Sequence, residues 1–231
     1  MPTFLQICQY VAQESGVIPN LPAPLSVTGQ TGKLQRIVSW VDSAYRHVQN
    51  SQDSWKWMHG DFEAPLIASL ASYSGSDLGL TRHARWHGLN TPQPTWTIRA
   101  PGTTRDTEQR LQYVSADYFD SMLDIGIVQT GAPTIVAIGA DDKVRLHPTP
   151  DDAYIVRGKY YKSPQALLLD GDVPEMPARF HDAIQWRALI LLGTFDETPT
   201  QIQNWNAFYN EVIGQAQSSQ LPQVTKTGAL A

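Results

Sequence analysis

Few residues of this chain have the type and spacing that chemistry requires. His83 and His87 stand four positions apart, the separation that puts two imidazoles on one helical face toward a zinc ion. Ala84 occupies the place where a zinc protease carries its glutamate, and a third ligand is missing nearby. The pair therefore reads as polar loop residues beside Trp86, and no metal is expected. The stretch Gly29-Gln30-Thr31-Gly32-Lys33-Leu34 offers glycines before a lysine at a helix start, as a phosphate-binding loop does. Val27 stands where that motif needs its first glycine, and Leu34 replaces the hydroxyl that would hold magnesium. What remains is a glycine-containing loop before a helix capped by Thr31.

Acidic residues crowd in three places. Asp170-Gly171-Asp172 with Glu175 has its glycine wrongly placed for a calcium loop, so it reads as a turn before a helix. Asp141 and Asp142 separate two β-like runs, and Asp151 and Asp152 mark the next turn; both pairs are expected at solvated tips, with Asp141 and Asp142 exposed. Gly75-Ser76-Asp77-Leu78-Gly79 puts its serine one position too early for a nucleophile elbow. No catalytic or cofactor-binding residue emerges. Among the seven tryptophans, Trp55 and Trp57 alternate with polar residues, so one should face outward, and exposed tryptophan anchors interfaces. Trp55 and Trp57 are therefore candidate interface residues. Trp40 and Trp186 read as core or flank packing.

The elements that must position these residues follow from periodicity. Thr3-Phe4-Leu5-Gln6 is a capping box, followed by Ile7, Cys8 and Val11 at helical spacing up to Gly16. After a Pro- and Gly-rich loop, Leu34, Ile37, Val38, Val41, Ala44, Tyr45 and Val48 form the clearest amphipathic stripe. From about Asp61 to Pro174 the period shortens and the chain reads as β-rich, with a three-stranded meander near residues 133 to 162 and a short helix from Ser115 to Leu123. Helical spacing then returns. Phe180, Ile184, Ala188, Leu191 and Leu192 run to Gly193, and Thr198-Pro199-Thr200-Gln201 opens a last helix carrying Ile202, Trp205, Tyr209, Val212 and Ala216. Val41 and Leu191 are expected to meet in its core. From Gln215 to Ala231 the composition is that of a tail with too little apolar surface to order itself.

The fold class expected is α+β: a helical bundle from N- and C-terminal helices with a β-rich insertion. Its parts are residues 1–60 and 175–214 for the helical module, 61–174 for the insertion and 215–231 for a flexible tail. Composition narrows the function. Charged residues make up 17% of the chain against roughly 25% in ordinary soluble domains, which leaves much uncharged surface and favours a subunit over a free monomer. A net charge of -5 argues against a protein that coats phosphate backbones from free solution. The longest apolar run, Ala188 to Leu192, is far short of the roughly 20 residues a spanning helix needs, and the N-terminus has no signal-peptide pattern, so a soluble protein is expected. A single cysteine, Cys8, excludes an internal disulfide.

Phe4-Leu5-Gln6-Ile7-Cys8, Thr28 to Leu34 running into Ile37-Val38-Ser39-Trp40-Val41, and Trp55-Lys56-Trp57-Met58 form a recognisable sequence of phrases. Pro133-Thr134, Leu146 to Asp151, Gly158 to Pro164 and Met176 to His181 continue it, whereas Ser74 to Asp106 matches least. In this order the chain resembles the head-to-tail adaptors of tailed bacteriophages. The resemblance implies a structural virion protein without enzymatic activity or cofactor. It implies a homo-oligomeric ring, commonly of twelve copies, assembled in the host cytoplasm between the portal protein and the next tail component. Double-stranded DNA would pass through it without specific binding, and no membrane is involved. The C-terminal segment, with Gln220, Leu221 and Pro222, is then a candidate contact with the portal or a neighbouring subunit. Other expectations are a stopper, tube or baseplate component, or a metal-dependent hydrolase using His83, His87 and the acidic turns.

Overall fold

A computed structural model describes residues 1–16, 24, 26–89, 94–123, 128–195 and 199–222. Chain order is α1 (Phe4–Glu14), α2 (Gly32–Asn50), β1 (His59–Pro65), β2 (Ser72–Tyr73), β3 (His83–His87), β4 (Thr97–Arg99), β5 (Gln109–Arg110) and β6 (Gln112–Tyr113). There follow α3 (Ala116–Tyr118), which continues as a π-helical turn over Phe119–Leu123, then β7 (Ile135–Ile138), β8 (Val144–His147), β9 (Ile155–Lys162), α4 (Asp182–Phe195) and α5 (Pro199–Gln220). The architecture is mixed α+β. Two compact units divide it: Met1–Met58 with Pro164–Ala231, and His59–Ser163.

The first unit holds α1, α2, α4 and α5 around one apolar core. Thr3 and Gln6 form the expected capping box: Thr3 Oγ1 accepts from Gln6 N at 3.3 Å, and Thr3 N donates to Gln6 Oε1 at 2.9 Å. Phe4, Ile7, Cys8 and Val11 are buried from α1, and Ile37, Val41, Ala44, Tyr45 and Val48 from α2. Thr31 occupies the N-cap position of α2, but its side chain makes no capping bond. Helix α4 buries residues around most of its circumference, including Ala183, Ile184, Ala188, Leu189, Ile190 and Leu192. A helix apolar on all sides belongs in the middle of a core, and α4 packs against α1, α2 and α5. Leu191, expected beside Val41, is only half-buried; Leu189 and Leu192 enter the core instead. The helix also runs past Gly193, because Gly193 is itself buried and the chain stays helical to Phe195.

Residues after Ser163 belong with the helices, not with the strands, although periodicity assigns them to the β-rich part up to Pro174. Polar side chains of α2 explain this. Asp42 Oδ1 accepts from Leu167 N at 3.0 Å, Gln49 Oε1 accepts from Gln165 N at 2.7 Å, and Gln49 Nε2 donates to Gln165 O at 3.0 Å. Tyr45 Oη donates to Gln165 Oε1 and accepts from Glu175 N, both at 2.9 Å. These side chains serve the connecting segment as a strand edge would, satisfying backbone groups in a half-buried place. The expected start of the tail at Gln215 likewise falls inside α5, which continues to Gln220 with Ala216 fully buried. Trp205, Tyr209, Ile213 and Ala216 prolong one apolar stripe, and that burial outweighs the polar composition between them. The capping box expected at Thr198 and the residues from Gln223 onward lie outside the described residues.

The second unit holds two sheets. In the first, β9 is central: β1 covers one edge along its whole length, while β4 and then β3 share the other, and β5 extends from β4. The second sheet has the order β2-β8-β7-β6, antiparallel except for the β6–β7 pair. The expected meander of three strands is therefore corrected. Strands β7 and β8 form a hairpin, but β9 pairs in the other sheet. Pro148 and Pro150, which lack a backbone donor, end the β8 ladder and let the chain leave it. Phe62, Trp86, Trp96, Ile98, Leu111, Val136, Val144, Leu146 and Val156 form the core of this unit. Gly158 is required there, since a Cβ would lie 2.5 Å from the Trp96 ring and 2.8 Å from that of Phe62.

Candidate interaction surfaces

The sequence-predicted residues separate once folded. Trp55 is fully buried, which removes it as an interface anchor. Its Nε1 donates to Val48 O at 3.0 Å, among the last carbonyls of α2, so the indole closes that helix end from inside the core. Trp57 stacks on it with centroids 4.2 Å apart and is half-buried. Leu221 packs against the same core, Gln220 is half-buried, and Pro222 is exposed. Lys56 Nζ donates to Ser219 O at 3.1 Å, which ties the end of α5 to the Trp55–Trp57 segment. Candidate residues from the two ends of the chain thus fall close together.

Asp170 and Asp172 are structural. Asp170 Oδ1 accepts from Val27 N at 2.6 Å and Ser26 Oγ at 3.1 Å, and Asp172 Oδ2 accepts from Leu168 N and Leu169 N at 2.7 and 2.8 Å. Their carbonyls accept from Leu5 N and Phe4 N, orphan donors in the first turn of α1. Nearby, Leu168 and Leu169 are 68% and 63% exposed. A second apolar surface joins three helices: half-buried Trp186 of α4 lies between the exposed Tyr10 of α1, at 6.3 Å, and the exposed Phe208 of α5, at 5.0 Å.

His83 and His87 lie on a strand, not a helix, and do not converge. A register shift between His83 and Arg85 turns His83 to the core side. There its ring lies 3.9 Å from that of Trp86, and its Nδ1 is 3.6 Å from Asp142 Oδ2. His87 projects from the opposite face, 5.0 Å from the His59 ring and 4.7 Å from Tyr161. Burial pushes the pKa of His59, His83 and His87 below the ordinary imidazole value; neighbouring cations add to this at His59 and His87, and Asp142 opposes it at His83. Among the described residues no group of three His, Cys, Asp or Glu could hold a metal ion. Asp141 and Asp142 sit exposed in the β7–β8 turn, with Asp142 at φ 59° and its carbonyl accepting from Trp86 Nε1 at 2.7 Å.

The first sheet presents a surface that sequence reading missed. Its register places His59, Tyr161 and Arg85 in one row, Asp61, Lys159 and His87 in the next, and Glu63, Arg157, Thr97 and Arg110 in a third, all on the side away from the core. The Arg85 guanidinium lies 4.2 Å from the centre of the Tyr161 ring. Glu63 is bonded by Arg99 at 2.6 Å and approached by Arg105 at 3.3 Å, and Glu108 accepts from Thr97 Oγ1 at 2.8 Å. The clue in the sequence was the period-two spacing of Arg157, Lys159 and Tyr161 and of Arg85 and His87. Without the pairing partners that spacing could not be summed into one face.

A family model described as SU10 adaptor protein matches residues 2–227, and the chain belongs to that family of phage adaptor proteins, structural components of the virion. No curated protein matches the chain in sequence. Among the described residues, no helix is long and apolar enough to cross a membrane.

Proposed function

We propose that the chain is the subunit of a ring mounted between the portal protein and the tail of a phage particle, with a bundle of the N- and C-terminal helices carrying a β insertion. The family match over nearly the whole chain carries this reading. The copies, twelve on the family's pattern, enclose the passage through which DNA moves without specific binding. Work is done by surfaces and not by catalysis, so no cofactor takes part. The exposed Tyr10 and Phe208, flanking the half-buried Trp186, support this, because an aromatic patch on a helical unit is costly to leave in water and is satisfied by a neighbour. Gln220, Leu221 and Pro222, with Trp57 beside them, are the proposed contact with the portal or the adjacent copy. Assembly takes place in the host cytoplasm.

Electron microscopy of virions, and of the purified chain mixed with its portal, tests the reading. A cyclic ring on the portal is expected. The chain found as an isolated monomer or two-fold dimer in the assembled particle would overturn it. So would stoichiometric zinc or calcium on elemental analysis.

A further inference from the structure

We propose that the basic face of the first sheet docks onto the paired-aspartate turns, Asp141–Asp142 and Asp151–Asp152, of a second copy of this chain. The inference rests on the ring reading and assigns it a contact. On this face Glu63 and Glu108 are already engaged. Both oxygens of Glu63 serve Arg99 and Arg105, and Glu108 serves Thr97 and Arg99. Arg157 approaches Glu108 only to 4.0 Å, and Lys159 approaches Asp61 to 3.9 Å. Six cations, Arg85, Arg99, Arg105, Arg110, Arg157 and Lys159, stand on this face against the three carboxylates Asp61, Glu63 and Glu108, a positive excess in a chain whose net charge is -5.

Two features select a protein partner, and this chain in particular. Asp61 is 70% exposed among the cations; a phosphate backbone, with a charge every ~1.7 Å of duplex axis, could not avoid it. Carboxylates paired at turn tips, those of Asp141 and Asp142 with Lys143 3.5 Å from Asp141, can seat between the cations and pass it by. Such pairs are what the chain carries: Asp141, Asp142, Asp151 and Asp152 are all exposed. Copies that each carry -5 repel one another unless their contact brings opposite signs together. The basic face and the acidic turns are different surfaces, so the contact is heterologous and can close into a ring.

The test is the assembly of the full chain, followed by sedimentation velocity and mass photometry at about 0.1 M and about 0.5 M salt, where screening differs strongly. The wild-type chain is expected to assemble and to weaken at least tenfold at the higher salt. Arg85→Glu with Lys159→Glu should weaken assembly at least tenfold at low salt, and the milder Arg85→Gln with Lys159→Gln should do so in part, with circular dichroism and thermal unfolding showing a folded chain. Adding Asp141→Lys with Asp142→Lys, or Asp151→Lys with Asp152→Lys, to the Glu variant should restore it. If the wild type assembles and the Glu and Gln variants assemble equally well, the inference falls and the ring reading stands. A wild type that stays monomeric with and without its portal ends both. Lost assembly that neither acidic-turn change restores excludes this occupant. If reversal instead abolishes retention of a short duplex DNA while assembly is intact, the face belongs to nucleic acid and the inference is overturned.

Discussion

The helical unit and the β unit bury apolar surface by different means. In the helical unit one element, α4, is surrounded, and the outer helices each contribute a stripe read directly from their sequence. In the β unit the core is built from large rings on one face of short strands, with Phe62, Trp86 and Trp96 within 5.1 to 5.8 Å of one another. The first arrangement tolerates polar residues on its outer faces and uses them: Asp42, Tyr45 and Gln49 hold a loop. The second depends on close approach, and leaves its opposite face free for charge. Stability is thus concentrated in a few side chains in the β unit and spread along helices in the other.

Two substitutions should break this contrast most strongly. Trp55→Ala removes the largest fully buried side chain of the helical unit and should cost about 3 to 5 kcal/mol, lowering the denaturant midpoint of that unit while near-ultraviolet signals from the Trp86 and Trp96 cluster persist. A single coincident loss of both signals would show that the two cores unfold together. Gly158→Ala is the counterpart in the β unit. Its Cβ would clash with Trp96 and Phe62, and overpacking of this kind costs about 1 to 3 kcal/mol. Protection of α4 amides from hydrogen exchange should be unchanged in this variant.

Smaller changes sharpen the picture. Asp42→Ala leaves the Leu167 amide without its acceptor, at about 1 to 3 kcal/mol for an unsatisfied buried donor. Faster hydrogen exchange at Leu167, with α2 still protected, is the expected reading. Cys8, its pKa pushed up to about 12 by burial and then by Asp170, should resist thiol reagents until the helical unit opens, so its labelling rate reports on that unit alone.

The least effect is that of pH. Burial depresses the pKa of His59, His83 and His87 in the β unit and of His47 and His181 in the helical unit. Below the ordinary value of 6.5 the unfolded chain therefore binds more protons than the folded one. Stability is complete above that pH and declines as the pH falls through it toward the depressed folded values. The denaturation midpoint should drift downward on acidification, and His59→Gln with His87→Gln should flatten the drift in the β unit.

Local chemistry makes much of the helical unit legible from the order of its residues. The Thr3–Gln6 capping box and the stripe from Ile37 to Val48 need only neighbours within a few residues, and a period of 3.6 states which side is buried. Residues whose role depends on distant partners are not legible in that way. Trp55 alternates with polar residues, yet its indole meets the end of α2, so only the folded chain shows it to be core. Gln215 to Gln220 look like a tail until Ala216 is seen against the other helices. Likewise His83 and His87 share a spacing that suits a metal on a helix, whereas a strand with a shifted register sends them to opposite faces. The cations of the first sheet are scattered between Arg85 and Lys159 in the chain and become one surface only through strand pairing. Sequence alone determined the helices, the absence of a local catalytic signature and the resemblance to phage adaptors. Tertiary structure decided which polar residues hold backbone, which aromatics are buried and where charge accumulates, because strand register is set by contacts far apart in the chain.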